Sequence, residues 1–274
     1  MRRISLGLIL VLGWAHGAAA QGVVVAPHAV YLDHRTRSAS VTLYNPGADA
    51  AEVEIAAIYG YPVTDSLGHF MLHIPDSVDA SMPAANGWIE AFPRRMTIPP
   101  LSRQTVRLLA RPPQGLTDGE YWSRVIITAR GSAQVATADT AGISIGLALE
   151  VRTIIPLTYR KGALSSGVAI TGLTVTPAGD SLDVRARLER QGTAAYIGTA
   201  RGALVNAAGK TVARFEEPVA VYYDATPGFM LPVAGLPAGS YQVRLELVSE
   251  RPDISPELLL RAPPARDSLA VRLP

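Results

Sequence analysis

The chain contains no cysteine among its 274 residues. That one absence excludes a disulfide framework, a thiolate metal centre, a cysteine nucleophile and a lipid-modified N-terminal cysteine. Aromatic residues are sparse at 6%, and charged residues make up only 18%. Beyond the first twenty residues there is no apolar run long enough for a spanning helix. Metal- and nucleotide-binding signatures are also missing: there is no H-E-x-x-H, no G-x-x-x-x-G-K-[ST] and no G-x-G-x-x-G. Glycosidases built on sandwiches need two carboxylates across a cleft, and nothing in the sequence pairs Asp224 or another acid with a second one. These absences favour a protein that is not an enzyme and uses no metal or cofactor.

What is present begins with a leader. Arg2 and Arg3, the apolar stretch Ile4 to Trp14 and the small residues Ala18-Ala19-Ala20 have the layout of a secretory signal peptide, residues 1–20. An exported protein with no membrane insertion is expected. Without Arg2 and Arg3 the 25 basic residues fall to 23, equal to the 23 acidic ones. The remaining arginines are scattered singly, with no basic stripe and no interleaved aromatics, which excludes a nucleic-acid partner. In an oxidising compartment without disulfides, each domain must hold together by burial alone. The mature length suits two domains of about 110 to 140 residues.

Long helical periodicity is absent. Short runs rich in Val, Ile, Leu and Tyr recur between Gly, Pro, Asp and Asn: 38–44, 51–59, 104–110 and 121–129. A second set follows at 168–176, 182–188, 203–205, 211–215, 219–223 and 241–248. This spacing predicts an all-β chain of two sandwiches in tandem, with the boundary in the Gly/Ala/Ser-rich stretch 162–167, giving domains 21–163 and 164–274. The segment 60–87 reads as a hairpin around Ser66-Leu67-Gly68 followed by a long loop. His69 and His73 lie there four apart, but the alternation of Phe70, Leu72 and Ile74 predicts a strand, in which residues four apart are about 13 Å distant, too far for a shared metal. The tail beyond Arg251 is left open between a final strand and an extended arm.

One strand stands out. Ile143, Ile145, Leu147, Leu149 and Val151 place a large apolar side chain at every second position, with Ser144, Gly146, Ala148 and Glu150 between. Such a row either packs in its own sheet or completes the sheet of another protein.

Several segments in order resemble one family. They are Val25-Ala26-Pro27-His28-Ala29-Val30-Tyr31-Leu32, Ser40-Val41-Thr42-Leu43-Tyr44-Asn45-Pro46, Phe92-Pro93-Arg94-Arg95, Pro99 to Leu108, Gly119-Glu120-Tyr121-Trp122-Ser123-Arg124-Val125, and the Ile143 strand running into Pro156-Leu157-Thr158-Tyr159-Arg160. In order and spacing, residues 23 to 162 resemble the N-terminal domain of the PapD-like periplasmic pilus-assembly chaperones of the chaperone–usher pathway. The resemblance implies two immunoglobulin-like sandwiches, a periplasmic location and no ATP. It implies pilus or fimbrial subunits lacking a final strand as partners, with an outer-membrane usher behind them. It also implies that Ile145, Leu147, Leu149 and Val151, with Ile143 as an extension, fill the client's open groove. An apolar edge of this kind also predicts a self-capping homodimer when no client is present.

The family anchors the client's C-terminal carboxylate on a first-strand Arg and a Lys late in the donor strand. Aligned on Tyr159-Arg160, those positions are His28 and Pro156 here. Proline carries no charge, so His28, Arg152 and Arg160 are the candidate replacements. The alternative to the whole reading is an immunoglobulin-like structural or adhesive protein of the envelope or surface, in which the 143–151 strand stays inside its own sheet.

Overall fold

The computed structural model describes residues 22–131, 134–137, 144–147 and 149–274, with the backbone alone at 134–137 and 144–147; the leader and Ile143 lie outside these residues. Among the described residues there are strands, turns and two single 3₁₀ turns, and no α-helix. The first thirteen strands are β1 (Val24–Ala26), β2 (Val30–Asp33), β3 (Ser38–Tyr44), β4 (Ala51–Ile58), β5 (Tyr61–Thr64), β6 (Phe70–His73), β7 (Ile89–Phe92), β8 (Arg95–Ile98), β9 (Arg103–Ala110), β10 (Gly119–Arg130), β11 (Gln134–Thr137), β12 (Ser144–Leu147) and β13 (Glu150–Lys161). The remainder are β14 (Ser166–Ala178), β15 (Ser181–Gly192), β16 (Tyr196–Asn206), β17 (Thr211–Val221), β18 (Asp224–Ala225), β19 (Gly228–Pro232), β20 (Gly239–Val248) and β21 (Ala265–Leu273).

Two sheets, β1-β3-β9-β7 and β2-β13-β10-β4-β8, face each other over the first apolar core. Alternation decides which side chains enter it. Val125, Ile127 and Ala129 of β10 point inward beside Ile155, Leu157 and Tyr159 of β13, while the residues between them face out. A second pair, β14-β15-β18 with β19 also on β15, and β17-β16-β20-β21, encloses Leu182, Val184, Ala186 and Leu188 against Val243, Leu245 and Leu247. The chain therefore forms the expected pair of immunoglobulin-like sandwiches.

A short repeat supports both. Leu116-Thr117-Asp118-Gly119-Glu120-Tyr121 and Leu236-Pro237-Ala238-Gly239-Ser240-Tyr241 share an L-x-x-G-x-Y pattern. In each, the tyrosine hydroxyl donates back four residues, Tyr121 to the Thr117 carbonyl at 2.9 Å and Tyr241 to the Pro237 carbonyl at 2.8 Å. This corner pins the start of a central strand in immunoglobulin-like sandwiches.

The second sandwich differs from the sequence reading in two places. The runs 211–215 and 219–223 are one strand, β17, continuous through Pro218. β17 is the outer strand of its sheet, where a missing N–H need not interrupt a ladder. The tail is settled as a strand: β21 pairs with β20 along its whole length.

The two sandwiches meet on the outer face of β10 and β13. Gly162 makes the turn at the end of β13 with φ +75°, and a Cβ there would collide with the Asp118 carboxylate. Glu120, whose side chain is only 2% exposed, accepts hydrogen bonds from Trp122 Nε1 at 2.9 Å, from the Ala195 backbone N–H of the second sandwich at 3.0 Å and from Arg160 Nε at 2.9 Å. Arg160 Nη1 donates to the Leu258 carbonyl, again across the junction. Tyr59, Trp122, Ala195 and Tyr222 pack beside this ion pair.

Removing one partner of a buried ion pair leaves the other charge uncompensated. Glu120→Ala is therefore expected to cost about 3–5 kcal/mol of unfolding free energy, read by urea denaturation, as is typical when such pairs are broken. A loss below about 1 kcal/mol, the range of exposed pairs, would show that water reaches Arg160.

Candidate functional site

β13 does two things along its length. Over Leu157–Arg160 it lies between β10 and the parallel strand β2. Over residues 150–156 it pairs with β10 alone, so among the described residues its other edge carries no strand. Upstream, β12 continues the same course and pairs only with β11. Among the described residues, β12 and residues 150–155 of β13 thus present an outer edge with which no strand pairs; residue 148 between them lies outside the described residues.

Burial fades in the same direction. Leu157 and Ile155 are fully enclosed, Thr153 and Val151 half-buried, and Leu149 is 46% exposed. All five belong to one alternating row, which begins as core and ends as surface. Gly22, at the start of the described N-terminal segment, lies against Val151 and covers part of it. Ile145 and Leu147 are placed on β12 by the backbone; Ile143 lies outside the described residues.

Where the open edge ends, β2 begins. Beside it is the packed junction of the two sandwiches, where the outward row Glu120, Trp122 and Arg124 of β10 meets Tyr222 of the second sandwich, all four buried. Tyr31 of β2 lies under the Arg160 guanidinium, 4.7 Å from its carbon, and burial pushes the Tyr31 hydroxyl up to about 12. It is a neutral donor at any physiological pH.

The cations named from the sequence are distributed differently from one another. His28 is exposed in the crossover from β1 to β2. Arg152 is 65% exposed and donates to Glu150 at 2.7 Å. Arg160 is committed to Glu120 and the Leu258 carbonyl. The residue that sequence reasoning missed is Arg124. It stands directly opposite Pro156 in the β10–β13 register, is 7% exposed, and has a buried Nε with no hydrogen-bond partner. Its guanidinium carbon lies 5.1 Å from the centre of the Tyr222 ring, an arrangement that stabilises a cation without neutralising it.

His69 and His73 turn to separate neighbours, His69 towards Asp65 at 3.5 Å and His73 onto the Tyr61 ring at 5.2 Å. Gly142-Ile143-Ser144-Ile145-Gly146 spells G-x-S-x-G, a pattern that in hydrolases marks a strand-to-helix turn. Here Ser144 opens strand β12, and no helix follows it among the described residues.

No protein-family model matches the chain, and no curated protein matches it. Solved structures do. The YadV chaperone shares 17% identity over 92% of this chain and 99% of its own, with a TM-score of 0.47. The CsuC–CsuE chaperone–tip subunit pre-assembly complex from the archaic chaperone–usher Csu pili of Acinetobacter baumannii shares 13% over 82% and 93%, with a TM-score of 0.45. The Salmonella enterica SafA pilin in complex with the SafB chaperone shares 16% over 90% and 96%, with a TM-score of 0.43.

The two halves of β13 predict different costs for the same substitution. Leu157→Ala should lose about 2–5 kcal/mol of stability, the range for a buried leucine. Leu149→Ala, on the exposed end of the row, should stay within about 0.5 kcal/mol of the parent protein. Equal losses in chemical denaturation would mean that Leu149 belongs to the protein's own core.

Proposed function

We propose that the protein is a periplasmic chaperone that binds and caps pilus-type subunits by lending them the 143–151 strand, with residues 21–163 as the lending domain. The observation that carries this reading is that, among the described residues, no strand pairs with the outer edge of β12 or of β13 over residues 150–156, and the apolar row of β13 runs out of the core and into solvent at Leu149. A subunit lacking its last strand has the complementary defect: unpaired edges beside an open apolar groove. Joining the two satisfies both ladders and buries Ile145, Leu147, Leu149 and Val151. Each aliphatic side chain that becomes fully buried contributes about 1.5–3 kcal/mol, so the row supplies most of the affinity. The step is noncovalent and needs no ATP, metal or catalytic group.

A client strand laid along residues 150–156 would be stopped by β2, close to the junction of the sandwiches. We take Arg124 as the group that receives its terminal carboxylate, in place of His28, Arg152 or Arg160. Arg124 is held beside Pro156 with an unsatisfied Nε, and a carboxylate accepts a guanidinium in two parallel hydrogen bonds. Without a client, the same edge is expected to pair with a second copy of the chain.

The test is a pull-down of the mature protein from periplasmic extract. The parent is run beside Leu147→Glu/Leu149→Glu and Arg124→Ala, with folding checked by circular dichroism. Small exported subunits of the kind seen with CsuC and SafB are the clients to look for. Capture by the parent, loss in the double variant and weakened capture in Arg124→Ala are expected. Absence of such a subunit from every lane would move the assignment to an envelope structural protein. Sedimentation across protein concentrations checks self-capping; a monomer throughout would remove it.

A further inference from the structure

The β5–β6 hairpin grows from the first sandwich, yet the contacts at its tip belong to the second. The Gly228 N–H of β19 donates to the Gly68 carbonyl at 3.1 Å. The Thr226 N–H donates to Thr64 Oγ1 at 2.8 Å. Arg185 of β15, held by Asp183 at 2.8 Å, donates from both terminal nitrogens to the Ser66 and Leu67 carbonyls, at 2.8 and 3.3 Å. Phe70 packs against the second core, and the Tyr61 ring meets Tyr223 edge-on at 4.8 Å.

The tip is shaped for this approach. Asp65 Oδ1 accepts the Leu67 and His69 N–H groups, at 2.9 and 2.8 Å, and closes the turn. Gly68 then adopts φ +85°, and a Cβ on it would collide with the Gly228 backbone. A hairpin resting loosely on its neighbour would not require glycine at its tip, and a Cβ on Gly228 across the contact would also sit tightly against the Leu67 carbonyl.

We propose that this hairpin is a strap that sets the angle between the two sandwiches. The covalent connection is short, only residues 162–165 between β13 and β14, and by itself leaves the second sandwich free to pivot about Gly162. The bonds from Glu120 to Ala195 and from Arg160 to Leu258 hold one side of the junction. The hairpin tip holds β15 and β19 at a separate point, and attachments at separate points remove the pivot. The strap therefore fixes how the second sandwich sits against Arg124 before anything binds.

Because the chain has no cysteine, two labels can be placed without background. Ala50→Cys and Ala208→Cys put exposed spin labels on the first and second sandwich of the full chain. Electron–electron distance measurements on this parent should give one narrow distribution. Thr64→Val/Arg185→Ala, which removes the side-chain stitches and leaves the Gly228–Gly68 backbone bond, should broaden or shift it. Gly68→Val, which blocks the approach, should do so more strongly. If both variants keep the parent's distribution and its circular dichroism, the hairpin is a passenger and the junction is held elsewhere. The readout involves no client, so its outcome stands apart from whether strands are donated.

Discussion

The Glu120 carboxylate is buried at the junction of two sandwiches, and the geometry of everything nearby depends on how its charge is met. An ionised group so far from water is tolerated only if donors converge on it. Three do: the guanidinium of Arg160 from the neighbouring strand, the indole of Trp122 two residues along, and a backbone N–H of Ala195 from the other sandwich. The last of these makes the ion pair an inter-domain contact. Arg160 is thereby used up; Arg124, four residues beyond Glu120 along β10 on the same face, is buried beside the Tyr222 ring, its Nε unbonded among the described residues. Tyr31, Trp122 and Tyr222 line the same face and keep water from competing for these groups.

β13 connects this junction to the open edge. One strand supplies core residues at Leu157 and Tyr159, junction residues at Thr158 and Arg160, and an exposed apolar row towards Leu149. A strand anchored so firmly at one end can present its other end to a partner without unfolding, because the cost of ordering the backbone has already been met. Exposure of that edge carries an aggregation risk, which any strand paired along it would remove.

Much of this was legible in the sequence. Alternation at 143–151 and the turn-bounded runs on either side marked an all-β chain and singled out the strand, since a period of two is a local property of the backbone. The lack of disulfides followed from the absent cysteine. Strand limits were less legible where a local signal misled. Pro218 reads as a break, but it lies inside β17 because that strand is at the edge of its sheet, a fact of neighbours rather than of residues. The L-x-x-G-x-Y repeat was available in the letters; its meaning emerged only when both hydroxyls were found bonding back to their own turns.

The junction was decided by tertiary structure alone. Nothing in the local sequence distinguishes Arg124 from Arg152 or Arg160: each is an arginine in an alternating strand. They differ in what the register places opposite them and in what the second sandwich brings across, Glu120 and Leu258 to Arg160, Glu150 to Arg152, and Pro156 and the Tyr222 ring to Arg124. Sequence by itself determined most of the strands and their faces, because these depend on residues within a few positions of one another. Which cation is left free, and how two sandwiches are held to frame it, depends on contacts between residues about 40 to 120 positions apart, which no local pattern encodes.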